Sequence, residues 1–520
     1  MIHHLKKEAK MKTLAQFAGC SSPIALALLY VTLTTSAQAP RRQPALPRSP
    51  ISSGVLVAQM THSGWLALPA IENLLRPTTP SGSCTPTPCV LPNVQASEVG
   101  APVNETPLVS NPRNKTQLLA GGNDFNCASS MLGFYTSSNS GSTWTHTCMG
   151  TLPGQVGLGH PGVGYDRLNT AYAIGIDANL DLSGSSIVFE KSTNNGATWT
   201  SPAVAVTPTI SGGFTDKPWL QIDTNPGSPH LNTLYISVTQ FDSPPSTQFF
   251  QSQISVSNSR DHGKTWSTAT VDTALFPDVD QFSDLAIDTS GTVYVSWMRC
   301  TSFAQIGCGG TTASLMVSKS RDSGNTWSSP VVLAAVNLAP GCGSSFYGCL
   351  PNTSEPVSEI PAMGVDNSGG SFAGRLYAVM YNWTGTFMQV QVSSSTDHGA
   401  TWGSPVTVAP PTATNDQFFP WLSVSKDGTV GVTWLDRRND PNNVSYEAFA
   451  SLSSDGGTTF PANIDLSSAP SNPFNDGFGG GFMGDNTGNT WVNPGPALRA
   501  SWTDTRSGVA QNETGGYRPE

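Results

Sequence analysis

The sequence predicts an all-β fold assembled from repeated antiparallel units. Three observations carry that expectation. The 520 residues include 51 Gly and 40 Pro, a supply of turn formers. Only 12% of the residues are charged, against about 25% in ordinary soluble domains. One octapeptide with turn chemistry recurs six times. The same composition argues against a helical bundle, a coiled coil or a charged disordered chain. With Lys+Arg 25 against Asp+Glu 35, it also lacks the basic balance of a nucleic-acid binder.

The N-terminus reads as an export signal. Lys6, Lys7, Lys10 and Lys12 precede the apolar run Pro23–Leu33, which is too short to span a bilayer. Met11 is an alternative start, and cleavage is expected after Ala37, since Pro40 hinders cutting after Ala39. Residues 1–37 are therefore assigned to a signal peptide, 38–85 to a Pro-rich linker or arm, and 511–520 to a C-terminal tail. Loss of the signal leaves 21 basic against 34 acidic side chains. No later segment is long and apolar enough for membrane insertion. Eight of nine Cys remain, in close pairs: Cys84 with Cys89, Cys127 with Cys148, Cys300 with Cys308, Cys342 with Cys349. None has Cys-x-x-Cys spacing and no His cluster accompanies them, so four local disulfides are expected rather than zinc. The chain is read as a secreted monomer, extracellular or periplasmic.

The octapeptide is Ser-x-Asp/Asn-x-Gly-x-Thr-Trp/Phe. Its copies end at Trp144, Trp199, Trp266, Trp327, Trp402 and Phe460. Asp or Asn accepts bonds from a turn backbone, Gly supplies a left-handed position, and the aromatic ring packs between sheets. These boxes are therefore read as structural, and His262 and His398 inside them are discounted as catalytic.

Between boxes lies a quieter repeat, a strand, an Asp/Gly turn and a second strand, clearest from Leu285 to Trp297. Seven such hairpins alternate with six boxes. Four antiparallel strands per unit, here named A to D, make a β-propeller blade. Seven blades are expected, with six as the alternative. The propeller is assigned to 86–510. The seventh unit has A and B strands but no box, so the segment 89–97, which resembles the stretch after the sixth box, is expected to pair with the last blade and close the ring.

In such a ring the boxes and A-to-B turns occupy one face, while the D-to-A and B-to-C loops converge on the other. The ends of the B strands place Asp124, Asp177, Gln240, Arg299, Asn382, Asp436 and Asp504 on that second face. The starts of the A strands add Glu105, His160, Asp216, Lys217, Gln281, Glu359 and Gln417. Arg437, Arg438 and Arg506 follow the last two B strands. This polar ring is the candidate site.

The boxes, with Asp216-Lys217-Pro-Trp219, Trp434-Leu-Asp436-Arg437-Arg438 and Trp502-Thr-Asp504-Thr-Arg506, resemble the sialidase-like superfamily of Asp-box (BNR-repeat) propellers, and its exported bacterial exo-alpha-sialidase-like proteins. The resemblance covers roughly residues 100–510. It implies a glycoside hydrolase in which three Arg hold a substrate carboxylate, a Tyr paired with Glu is the nucleophile, and an Asp is the acid/base. Arg299, Arg437, Arg438 and Arg506 are the candidate carboxylate binders, with Lys217, Glu105, His160 and Asp504 as further substrate contacts. Tyr347 with Glu359 or Glu355, and Asp216 or Asp436, are the candidate catalytic groups. The family's Phe/Tyr-Arg-Ile-Pro phrase has its nearest counterpart in Ser358-Glu-Ile-Pro361, with Glu in place of Arg.

Three functions follow. The first is a secreted sialidase-like hydrolase acting on a glycan or glycoconjugate. The second is a non-catalytic propeller that binds glycans or proteins on the same face. The third is a polysaccharide lyase with His160 or a Tyr as base. No cofactor is required by any of them, and calcium at Asp-rich loops is the open alternative. The hydrolase reading requires Arg437, Arg438, Arg506 and a carboxylate to converge on one pocket.

Overall fold

A computed structural model describes residues 50–68, 84–243, 249–301, 307–342, 345–492 and 496–519. The expected signal peptide lies outside them. The blades follow one another along the chain, and each B strand is flanked by an A strand and a C strand. The outer D strand pairs with C. Blade 3 shows the pattern in full, with strands Phe214–Ile222, Leu234–Phe241, Gln251–Ser259 and Ser267–Leu275. Its B strand is buried throughout, while its D strand is largely exposed.

There are seven blades, so the six-bladed alternative is set aside. The seventh consists of Gly488–Val492, Ala497–Asp504 and Gln511–Arg518, completed by Cys89–Gln95. Cys89 pairs with Arg518 and Gln95 with Glu513 in antiparallel register. The N-terminal strand thus closes the ring, which removes the open edge that a three-stranded blade would leave. The expected tail from 511 is corrected: Gln511–Arg518 is the C strand of that blade, and its polar run followed by two glycines hid it. The arm expected over 38–85 is also more than a linker, because it contains helix α1, Ser53–His62.

Each box is a C-to-D hairpin turn. In the third, the Ser259 hydroxyl accepts from the Gly263 amide (2.8 Å). Asp261 accepts from the amides of Lys264 (3.0 Å) and Thr265 (2.9 Å) and from the Thr265 hydroxyl (2.6 Å). The turn needs two consecutive left-handed residues, His262 (φ 61°) and Gly263 (φ 85°). His262 and His398 sit at the first of these, and their carbonyls accept from Lys191 and Lys319 of the preceding blades. The box aromatics pack between blades, as in the edge-to-face pair of Trp266 with Phe189 at 5.5 Å.

Four disulfides form as expected, Cys84–Cys89, Cys127–Cys148, Cys300–Cys308 and Cys342–Cys349. Among the described residues, one close group has metal-ligating types: Cys127, His146 and Cys148. Its two sulfurs are joined to each other. No helix among the described residues is long and apolar enough to cross a membrane.

Candidate active site at the axial mouth

The inner strands are not regular. Glu105, His160, Lys217, Phe282 and Phe419 hold left-handed backbone, with φ between 47° and 63°. Such backbone costs about 1–3 kcal/mol at each non-glycine position. In blades 3, 4 and 6 it coincides with a register break, between Asp216 and Trp219, Gln281 and Asp284, and Phe418 and Trp421. A bulge of this kind bends its strand and re-aims the neighbouring side chains. Here it gathers charged groups from four blades at one end of the axis.

Glu105 is the hub. Its carboxylate lies 2.7 Å from His160 Nδ1 and 3.2 Å from Lys217 Nζ. Lys217 Nζ also pairs with Asp485 at 2.5 Å, and Asp485 accepts the Ser358 hydroxyl at 2.6 Å. Asp216 accepts from Gln281 Nε2 (2.8 Å) and from the Lys217 amide (2.8 Å). All of these groups are buried, so the site holds three carboxylates against one lysine and one imidazole.

Burial alone would raise the Glu105 carboxyl, but the charges of His160 and Lys217 outweigh it and hold the group down at about 2. Burial also raises Asp485, and there it prevails over Lys217. Lys217 itself is raised, because Asp485, Glu105 and Asp216 together overcome its desolvation. Two carboxyls that share the Lys217 ammonium are thus pushed in opposite directions. Beneath them a cavity of about 20 Å³, room for about one water, reaches Trp219 and Phe282. Further down the axis, past the Trp219–Trp421 ring pair (4.6 Å), a channel of about 240 Å³ is lined by Asp284, Met363 and Asn489.

The mouth is covered by residues 50–68. The Ser52 hydroxyl lies 2.6 Å from His160 Nε2 and donates to Asp216 at 2.7 Å, and the Ser52 amide donates to the other Asp216 oxygen at 2.7 Å. The Pro50 carbonyl accepts from Gln281 (3.1 Å) and from the Tyr347 hydroxyl.

Of the expected site residues, Glu105, His160, Asp216, Lys217 and Gln281 come together, and Tyr347 stands at their edge. The others do not join them. Glu359 is buried and accepts from the Tyr381 amide at 3.2 Å. Asp436 accepts from Trp434 Nε1 (2.7 Å) and pairs with Arg438 (2.5 Å). Asp504 pairs with Arg506 at 2.6 Å. Arg299 binds Asp280 (2.6 Å) and Asp272 (2.9 Å). Arg437 is fully buried, donates to the Pro351 carbonyl (2.7 Å) and lies 3.5 Å from Asp416. The convergence of Arg437, Arg438, Arg506 and a carboxylate on one pocket, set as the condition for a sialidase-like hydrolase, is therefore not met, since each Arg is bound to an acidic side chain of its own blade. Tyr347 does not fit the nucleophile's part. Burial and the charges of Asp216 and Asp485 push its phenol well above the ordinary 10, which opposes ionisation.

Two members were absent from the sequence reading. Asp485 follows Gly484 (φ 93°) and is the blade 7 counterpart of Asp216, since Gly488 pairs with Ser501 as Trp219 pairs with Ser237. Aligning the seventh inner strand on that position would have found it. Ser52 lies in a Pro-rich arm with no repeat to align.

No family model matches the chain, and no curated protein matches it. Solved structures similar in fold include three carbohydrate-active proteins. One is the Hadza microbial sialidase Hz136, at 16% identity and TM-score 0.42 over 64% of this chain and 63% of that one. A second is the intramolecular trans-sialidase from Ruminococcus gnavus in complex with oseltamivir carboxylate, at 10% identity and TM-score 0.44 over 69% and 96%. The third is the GH93 α-L-arabinofuranosidase of Fusarium graminearum with arabinobiose, at 14% identity and TM-score 0.45 over 70% and 93%. These are likenesses of fold alone.

Proposed function

We propose that the chain is a glycoside hydrolase whose active site is the axial cluster, and that it acts on neutral glycans. The observation that carries this reading is the convergence of Glu105, His160, Asp216, Lys217 and Asp485 at one buried mouth, on the face opposite the boxes. Glycoside hydrolysis needs two carboxyl groups, one to deliver a proton to the leaving oxygen and one to act on the opposite side of the sugar. Asp216 is the acid/base, with Gln281 fixing one of its oxygens. Glu105, kept ionised by His160 and Lys217, is the second carboxylate. Lys217 and His160 hold its charge and position its oxygens.

The charge balance selects the substrate. A sialic acid or a uronate brings a carboxylate, which needs an unengaged Arg or Lys. Arg299, Arg437, Arg438 and Arg506 are each paired with an Asp, and Lys217 already serves two carboxylates. A neutral sugar, with hydroxyls that donate to Asp216 and Glu105, meets no such conflict. The test is product release from arabinan, xyloglucan, sialylated and uronate glycans, with Asp216→Asn and Glu105→Gln as controls. Turnover of a neutral member that both substitutions abolish supports the reading. Turnover of sialylated glycans alone would return it to the exo-sialidase type. No turnover on any member, by the wild type and by a variant in which the segment no longer covers the mouth, would leave a binding propeller.

A further inference from the structure

Residues 50–68 belong to no blade, yet Ile51, Ser52, Val55 and Leu56 are buried against the axial mouth. Ile51, Val55, Leu56, Val57 and Ala58 join the main apolar core, and beside that packing stands a polar contact of another kind. A serine just before a helix ordinarily turns its hydroxyl back to cap a free amide of the first turn. Ser52 makes no such bond to helix α1. Its hydroxyl points the other way, between the Asp216 carboxylate and the His160 ring. The Pro50 carbonyl sits beside it, on Gln281 and Tyr347. A hydroxyl held by a carboxylate and an imidazole, with a second oxygen held by an amide and a phenol, is how a sugar would be gripped here. The fit leaves no space for a substrate as well. A Cβ built on Gly54 would come within 2.8 Å of His160 Cε1 and 3.1 Å of the Glu105 carboxylate.

We propose that residues 50–62 are an internal, displaceable occupant of the glycan site, with the Ser52 hydroxyl standing where a substrate hydroxyl binds, so that segment and glycan compete. This inference rests on the glycosidase reading above. The segment is suited to release. Helix α1 has ten residues and no side-chain cap at its N-terminus, and isolated helices shorter than about 12–15 residues are marginal in water. Its order is therefore supplied by the docked surface and is lost with it.

The test uses the full chain carrying Gly54→Val, whose added carbons collide with His160 and Glu105, and the milder Ser52→Ala, which removes only the hydroxyl's bonds. Amide exchange over 53–62 reports docking, and product release from arabinan and xyloglucan reports the site. Exchange over 53–62 should rise in Gly54→Val and turnover should rise by at least about tenfold, with Ser52→Ala intermediate. A synthetic peptide of residues 50–65 should inhibit the released variant. Faster exchange with unchanged turnover would overturn the inference and leave the glycosidase reading standing. Exchange that stays slow in the Ser52→Ala/Gly54→Val double variant would show a permanent part of the fold, and would also overturn it. Inert wild type together with an inert, released variant would sink the glycosidase reading and the inference with it.

Discussion

Two sets of carboxylates sit at opposite faces of the same ring, and they do different work. On the box face, Asp261, Asp322, Asp397 and Asp455 are solvent-facing and satisfied by their own turns. The hydroxyl and amide of Thr265 hold Asp261 well below the ordinary carboxylate range. Asp322 is held at about 2, its slight burial outweighed by the hydroxyl and amide of Thr326. On the axial face, Glu105, Asp216 and Asp485 are buried, drawn from different blades, and tied to one another through shared partners, Lys217 between Glu105 and Asp485 and His160 between Glu105 and Asp216. A box carboxylate can be lost at the cost of one turn. An axial one cannot be lost without unbalancing its neighbours. The motif that recurs most is thus the structural one, and the chemistry lies where charges had to be brought together over long chain distances.

The sharpest way to break this comparison is Lys217→Met. It leaves Glu105 and Asp485 buried without their shared cation, and removing one partner of a buried pair costs about 3–5 kcal/mol. Urea unfolding should show that loss, and a cost below about 1 kcal/mol would mean that the cluster is wet and loosely held.

A smaller effect is expected from Asp284, which lines the axial channel and accepts the Met363 amide at 2.6 Å. Burial pushes its carboxyl from 3.8 up to about 7. A group raised on folding contributes stability that is fully present below its unfolded value and is lost as pH rises through its folded value. Asp284 should therefore cost stability between about pH 4 and pH 7. Asp284→Asn should remove that decline, leaving the variant a few kcal/mol better relative to wild type at pH 8 than at pH 4. Thermal unfolding across that range checks it.

On the box face, Gly324→Ala places a side chain at φ 83° and should cost about 1–2 kcal/mol, with kinetic constants unchanged. The smallest effect is expected from Asp397→Asn, which keeps an acceptor for the Thr401 amide and hydroxyl. Its carboxyl is held down by those bonds, so the contribution is present above the ordinary carboxylate value and lost as pH falls. Wild type and variant should therefore become alike in acid, as followed by thermal unfolding from pH 6 to pH 2.

Much of the ring was readable from the chain because each blade repeats its own hydrogen-bond solution. The six boxes and the hairpins between them gave the blade count, and the stretch near 89–97 supplied the closing strand. The third strand of blade 7 was not readable, because Gln511–Arg518 carries no box and runs through four polar residues and two glycines with no apolar alternation. Most of the cluster was legible in the same way, since Glu105, His160, Asp216, Lys217 and Gln281 begin successive inner strands. The arginines misled because spacing gives the face but not the partner. Asp280, Asp416, Asp436 and Asp504 neutralise them locally, and that pairing depends on side-chain geometry. Ser52 lay beyond reach, since a loop that docks once leaves no period to read.

The most direct measurement sets the two faces against each other in one reaction. Product release from arabinan and xyloglucan is compared for Asp216→Asn and Asp322→Asn, in both the wild-type and the Gly54→Val background. Loss of a positioned acid/base group typically costs about 10²–10⁴-fold. Asp216→Asn should fall by at least about 100-fold in kcat while Asp322→Asn stays within about twofold of its parent. Equal turnover by Asp216→Asn and its parent would contradict the assignment of the axial mouth as the active site.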